Sequence, residues 1–121
     1  MNKQATGFVE QTPPPALTFE RLRQQNLARC EESFKAAHNG LAGWSVPHWA
    51  MATTGELGEL CNKLKKLERG ETIPLHEIAH EAADVAIYLD LLCAKLGIEL
   101  GAAVREKFNI VSDRVNSKRY L

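Results

Sequence analysis

TIPLHEIAHEAADVAIYLDLLCAKLG, residues 72–97, decides the architecture. Thr72 and Pro74 supply a capping residue followed by a proline in the first turn. Ile78, Ala82, Val85, Leu89, Leu92 and Leu96 then recur at alternating steps of four and three, the spacing of one helix face. Gly97 ends that helix. Upstream, Ser45 and Pro47 repeat the start signal, and a second helix runs to about Arg69, closed by Gly70. Downstream, a helix begins near Glu99 and sets Val104, Phe108, Val111 and Val115 on one face as far as about Ser117. From Thr18 to about Asn39 no proline or glycine intervenes, and Phe19, Leu22, Leu27, Cys30 and Phe34 follow helical spacing. No stretch alternates as a strand does. Helices joined, after the first, by loops of a few residues predict an all-α, antiparallel four-helix bundle filling residues 18–121 as a single domain. Pro13-Pro14-Pro15 disfavours a helix start, so residues 1–17 read as an extended N-terminal arm.

Composition narrows the function classes. A chain of 121 residues is one domain's worth of core. Lys plus Arg number 15 and Asp plus Glu number 15, so no net charge draws the chain to a nucleic acid polymer or an anionic membrane. No apolar run reaches the roughly 18 residues of a membrane span, and Met1-Asn2-Lys3-Gln4 lacks the layout of a signal peptide. The expectation is a cytoplasmic protein with no membrane partner. Cys30, Cys61 and Cys93 are widely spaced with no CxxC pair, and read as reduced core thiols.

The chemistry concentrates in two acid pairs. Glu56-Leu57-Gly58-Glu59 and Glu81-Ala82-Ala83-Asp84 each space two carboxylates at i and i+3, about 60° apart around a helix, so each pair projects together. The first pair flanks the stripe Leu57, Leu60, Leu64 and Leu67, and the second flanks Ala82, Val85 and Leu89, which places both near the bundle seam. Gly55 and Gly58 permit close approach of the second helix. Four acids converging there repel and call for cations. An oxygen-only ligand set suits Mg²⁺, with Mn²⁺ as its substitute, and such ions complete their shell with water and substrate phosphates. Lys63 and Lys66 lie on the side of Glu59, and Lys107 and Arg114 share a face of the last helix; these cations can neutralise a triphosphate. Trp44 and Trp49 bracket the entry to the second helix, either as core anchors or as stacking surfaces for a nucleobase. The alternative to a metal site is a helical interaction module whose acids are solvated surface charge.

His76-Glu77-Ile78-Ala79-His80 also matches HExxH, the zinc hydrolase motif. A third ligand is missing nearby, since Glu99 lies beyond the Gly97 break, and no strand is present to pair with an extended peptide. Glu77-Ile78-Ala79-His80 fits the ExxH of di-iron bundles, which need that motif twice.

On these residues the chain resembles the MazG-like all-α nucleoside triphosphate pyrophosphohydrolases, a superfamily that includes dCTP and dUTP pyrophosphatases. The resemblance is carried by Glu56-x-x-Glu59, Glu81-x-x-Asp84, the apolar pattern around them and Lys107-Phe108-Asn109, over about Trp44 to Arg114. It implies that Glu56, Glu59, Glu81 and Asp84 bind Mg²⁺ and that a (d)NTP is cleaved between its α- and β-phosphates to the monophosphate and pyrophosphate. It makes Tyr88, Lys107 and Asn109 candidate phosphate or sugar contacts, and it implies a homodimer or homotetramer. The segment Glu59–Arg69, with Asn62 and Lys63, is similar to the phage and mobile-element branch, some of whose members act on purine deoxynucleotides. It lacks the aromatic residue that dCTP pyrophosphatases carry there. Asn62 thereby joins the candidate substrate contacts. Glu59 is the candidate to orient or deprotonate the attacking water.

Overall fold

The computed structural model describes residues 13–34 and 39–121, so most of the expected arm and the end of the first expected helix lie outside the described residues. Four α-helices are present and no strand occurs among the described residues: α1 Phe19–Ser33, α2 Val46–Glu68, α3 Leu75–Lys95 and α4 Leu100–Arg114, with a 3₁₀ turn Gly40–Gly43 before α2. Pro13 to Leu17 carry no regular structure.

Two helix caps form and one expected cap does not. Thr18 Oγ1 accepts from the Arg21 N–H at 3.0 Å and Ser45 Oγ from the His48 N–H at 3.3 Å, each satisfying an orphan donor of a first turn. Thr72 does not cap α3: Pro74 itself is the N-cap and the helix opens at Leu75, with no side-chain bond there. Gly70 and Gly97 take φ +91° and +72°, which lets Glu71 N–H reach back to Lys66 O and Ile98 N–H to Cys93 O. Both are helix stops of the kind a left-handed glycine allows.

α2 and α3 form an antiparallel hairpin. Lys63 meets Glu77 and Glu81, Glu56 lies with Glu81 and Asp84, and Trp49 packs near Tyr88 and Leu91, so α3 climbs as α2 descends. α1 crosses α3 and the 3₁₀ turn. Their shared core is Cys30, Trp49 and Leu91, with Leu27, Leu41, Trp44, Tyr88 and Leu92 packed around it. Burial pushes the Cys30 and Cys93 thiols above their ordinary range. Cys61, expected in the core, is exposed, because its place on α2 turns away from α3.

α4 departs from a closed bundle. It touches α1 where Gly101 meets Phe19, and a Cβ at position 101 would stand 2.8 Å from that of Phe19. The rest of its apolar stripe lines an open groove of about 650 Å³ with Val104, Phe108, Val111 and Val115. On α2, Leu57, Leu64 and Leu67 are also more than 40% exposed and Leu60 is half-buried, so three of the four leucines expected at the seam face outward. A Cβ at Gly55 or Gly58 would meet nothing within 4 Å, so within one chain these glycines serve no close helix approach. No described helix is long and apolar enough to cross a membrane.

A buried polar knot ties α1 to α3 and to the connection into α4. The Arg23 guanidinium donates to Asp90 Oδ1 at 3.0 Å, to Ile98 O at 2.6 Å and to Glu99 Oε1 at 3.3 Å. Asn26 Nδ2 donates to Asp90 Oδ2 at 3.1 Å and to Ile87 O at 2.9 Å. Asp90 is 1% exposed, yet both of its carboxylate oxygens are paired, as a buried charge requires.

Candidate metal centre

The i, i+3 spacing of each acid pair and the antiparallel register of α2 against α3 bring the pairs together. One oxygen each from Glu56, Glu81 and Asp84 lie within 4.8 Å of one another, all three residues being half-buried. Glu59, expected as a fourth ligand, is exposed and stands outside this triad. Three of the four expected ligands therefore converge, with the fourth at the rim.

The electrostatics follow from crowding. Burial, and then the charges of Glu59, Asp84 and Glu81, raise the Glu56 pKa. Glu81 is shifted the other way, because Lys63 Nζ donates to its Oε1 at 2.8 Å and favours the ionised form. Glu81 Oε2 is buried with no hydrogen-bond partner. A buried carboxylate with one unpaired oxygen, gathered with two further acids in an all-oxygen donor set, fits a hard divalent cation.

The opposite shifts predict opposite pH behaviour. Glu56 is harder to ionise in the fold than in the unfolded chain, so stability present below the usual carboxylate range is lost as pH rises through its raised pKa. Glu81 contributes stability above the usual range that is lost as pH falls through its lowered pKa. Glu56→Gln is therefore expected to melt higher than wild type at pH 7 without divalent ions, and the gap should close below about pH 4. Melting curves by circular dichroism at the two pH values check this; a lower melting temperature at pH 7 would contradict it.

Beside the acids lies a cavity of about 320 Å³, walled by Glu56 and Asp84 and continuing over Ile87, Tyr88 and Leu91 to Asn26, Arg29 and Phe34. Tyr88 is thus at the centre's edge, and its phenol pKa is raised by burial and then by the charges of Glu56 and Asp84. Asn26 and Arg29 come from α1 and Phe34 from its C-cap, with no motif to mark them as cavity residues; the cavity exists only once α1 crosses α3. Lys63 lies against Glu81 and Glu77, with Asn62 and Lys66 on the same helix.

The remaining expected contacts are elsewhere. Trp49 is 1% exposed and its indole N–H donates to Leu41 O at 3.1 Å, so it is a core anchor and presents no face to a base. Trp44 packs on that core and stacks on His48, with ring centroids 4.2 Å apart. Lys107, Asn109 and Arg114 are on α4, which packs on α1, and within one chain they do not line the cavity beside the acids. Asn109 instead exchanges two hydrogen bonds with the backbone of Leu121, at 2.9 and 3.3 Å. The His76 and His80 rings stand 5.9 Å apart, but among the described residues no third acid, cysteine or histidine gathers with them, and Glu77 is paired with Lys63 at 3.6 Å.

Compared with protein-family models, with curated proteins and with solved structures, the chain finds no match.

Proposed function

We propose that the chain is a Mg²⁺-dependent nucleoside triphosphate pyrophosphohydrolase of the MazG-like all-α kind, cleaving a (d)NTP to the monophosphate and pyrophosphate and so clearing or controlling particular nucleotides. The observation that carries this reading is the approach of Glu56, Glu81 and Asp84 to within 4.8 Å across two antiparallel helices, with one Glu81 oxygen buried and unpaired. These three residues would hold the cation. When bound, Mg²⁺ supplies charge neutralisation for the phosphate oxygens as the pyrophosphate departs. Glu59, at the rim and outside the triad, accepts a proton from the attacking water. The cavity beside Glu56 and Asp84 takes the nucleoside, whose base rests against Tyr88 and Phe34. Lys66 and Asn62, on the α2 face that carries Glu59, serve the phosphates.

The active form is a homodimer or homotetramer. The exposed α2 leucines and the α4 groove form apolar surface that a second copy covers, and assembly is also the route by which Lys107, Asn109 and Arg114 reach an acid cluster. Sedimentation equilibrium at micromolar concentration is expected to give a multiple of 13.5 kDa; a monomeric mass would contradict the assembly.

The activity is tested by pyrophosphate release from each of the common NTPs and dNTPs, with Mg²⁺ and with chelator. Magnesium-dependent release from one or two of them is expected. A folded protein silent across the panel, and not stabilised by Mg²⁺, would instead be a non-catalytic helical interaction module.

A further inference from the structure

We propose that Lys63, tethered by Glu77, is a positioning residue that sets the Glu81 carboxylate for cation binding; this rests on the cation-centre reading above. Lys63 projects from α2 against two acids one turn apart on α3. Its Nζ donates to Glu81 Oε1 at 2.8 Å and lies 3.6 Å from Glu77 Oε2. The Glu81 side chain is 13% exposed and that of Lys63 29%, so this charge-assisted bond is partly shielded from water and fixes the position of Oε1. The two oxygens of Glu81 thereby divide their work. Oε1 is anchored by an ammonium and Oε2 is buried without a partner, and one oxygen of this carboxylate lies within 4.8 Å of Glu56 and Asp84. Leaving a buried acceptor unpaired costs free energy, and a cation between the acids relieves it while the Lys63 bond stays in place.

Glu77 contributes no atom to the triad. It acts by keeping a long, flexible lysine over α3 and not extended into solvent. The central glutamate of His76-Glu77-Ile78-Ala79-His80 thus serves the acid centre through a lysine, which is unlike the water-activating glutamate of a zinc hydrolase. Partners that orient a ligating carboxylate are as much part of a metal site as the ligands themselves.

The test is Mn²⁺ binding to the full chain, by electron paramagnetic resonance and calorimetry, for wild type, Lys63→Met, Lys63→Arg and Glu77→Gln. Coulomb's law alone says that Lys63→Met, having lost a positive charge beside the centre, binds Mn²⁺ more tightly. For Lys63→Met positioning gives the opposite sign, about tenfold weaker binding, with restoration to within about threefold by Lys63→Arg. For Glu77→Gln, where loss of a negative charge acts in the same direction, binding is about threefold weaker. Unchanged or tighter binding by Lys63→Met overturns the proposal. Should that variant not fold, unchanged affinity in Glu77→Gln, whose side chain is 46% exposed in the native chain, overturns it equally. No Mn²⁺ binding by wild type would remove the cation centre itself, and this role with it.

Discussion

Asp84→Asn is expected to lose Mg²⁺-dependent pyrophosphate release by at least about a hundredfold, since changes merely behind a metal ligand already cost 10- to 100-fold. Asparagine keeps the size and shape of the side chain, so the helix and the cavity wall survive. What it removes is a negative charge from a triad whose members approach within 4.8 Å. The same charge helps to raise the Glu56 pKa, so the variant relieves crowding and should melt no lower than wild type without metal. Loss of turnover with retained or improved stability separates a ligand from a structural residue. Glu59→Gln should behave differently, with turnover reduced and Mn²⁺ affinity largely kept, because Glu59 lies outside the triad. Near-full turnover in Glu59→Gln would remove its assigned role, and turnover preserved in Asp84→Asn would remove the centre.

The second large effect is on stability. Asp90→Ala is expected to destabilise the fold by about 3–5 kcal/mol, the cost of leaving a buried partner charge uncompensated. Arg23 would lose its Nε acceptor and Asn26 one of its two acceptors, in a site where Asp90 is 1% exposed and Asn26 3%. Against a typical domain stability of about 5–15 kcal/mol, this threatens the fold. Replacing both partners, as Arg23→Met with Asp90→Leu, should cost less than the single change, because no charge is left stranded. Urea denaturation of the three variants measures both quantities. A loss under about 1 kcal/mol for Asp90→Ala would place the pair among surface-like bridges that contribute little.

What could be read from the sequence was what depends on neighbours along the chain. An i, i+3 pair of acids shares a helix face whatever surrounds it, so Glu56 with Glu59 and Glu81 with Asp84 were legible before any packing was known. So were the Ser45 cap with Pro47, and the glycine stops at 70 and 97. Features that depend on distant contacts were not. Asp90 stands between Leu89 and Leu91 in an apolar run, which was the one signal of a buried charge, but nothing near it named Arg23, 67 residues away, as its partner. Lys107 and Arg114 do share a face of α4, yet helical spacing says nothing of which neighbour that face meets. The leucine stripe of α2 was legible as apolar and illegible as outward, since a period fixes a face and not its partner. The cavity between α1 and α3 falls in the same class: Arg29 and Phe34 matter only through a crossing that no local pattern encodes.

Thermal melting of the wild-type chain at pH 7, with Mg²⁺ and with chelator, decides whether Glu56, Glu81 and Asp84 form a divalent-cation centre. An ion that binds only the folded chain adds about 2.7 kcal/mol at a concentration 100 times its Kd. For a domain of this size that raises the melting temperature by roughly 10 °C. A rise of that order is expected with Mg²⁺, absent in Asp84→Asn. Identical melting with Mg²⁺ and with chelator, across millimolar concentrations and with Mn²⁺ tried in turn, would contradict it.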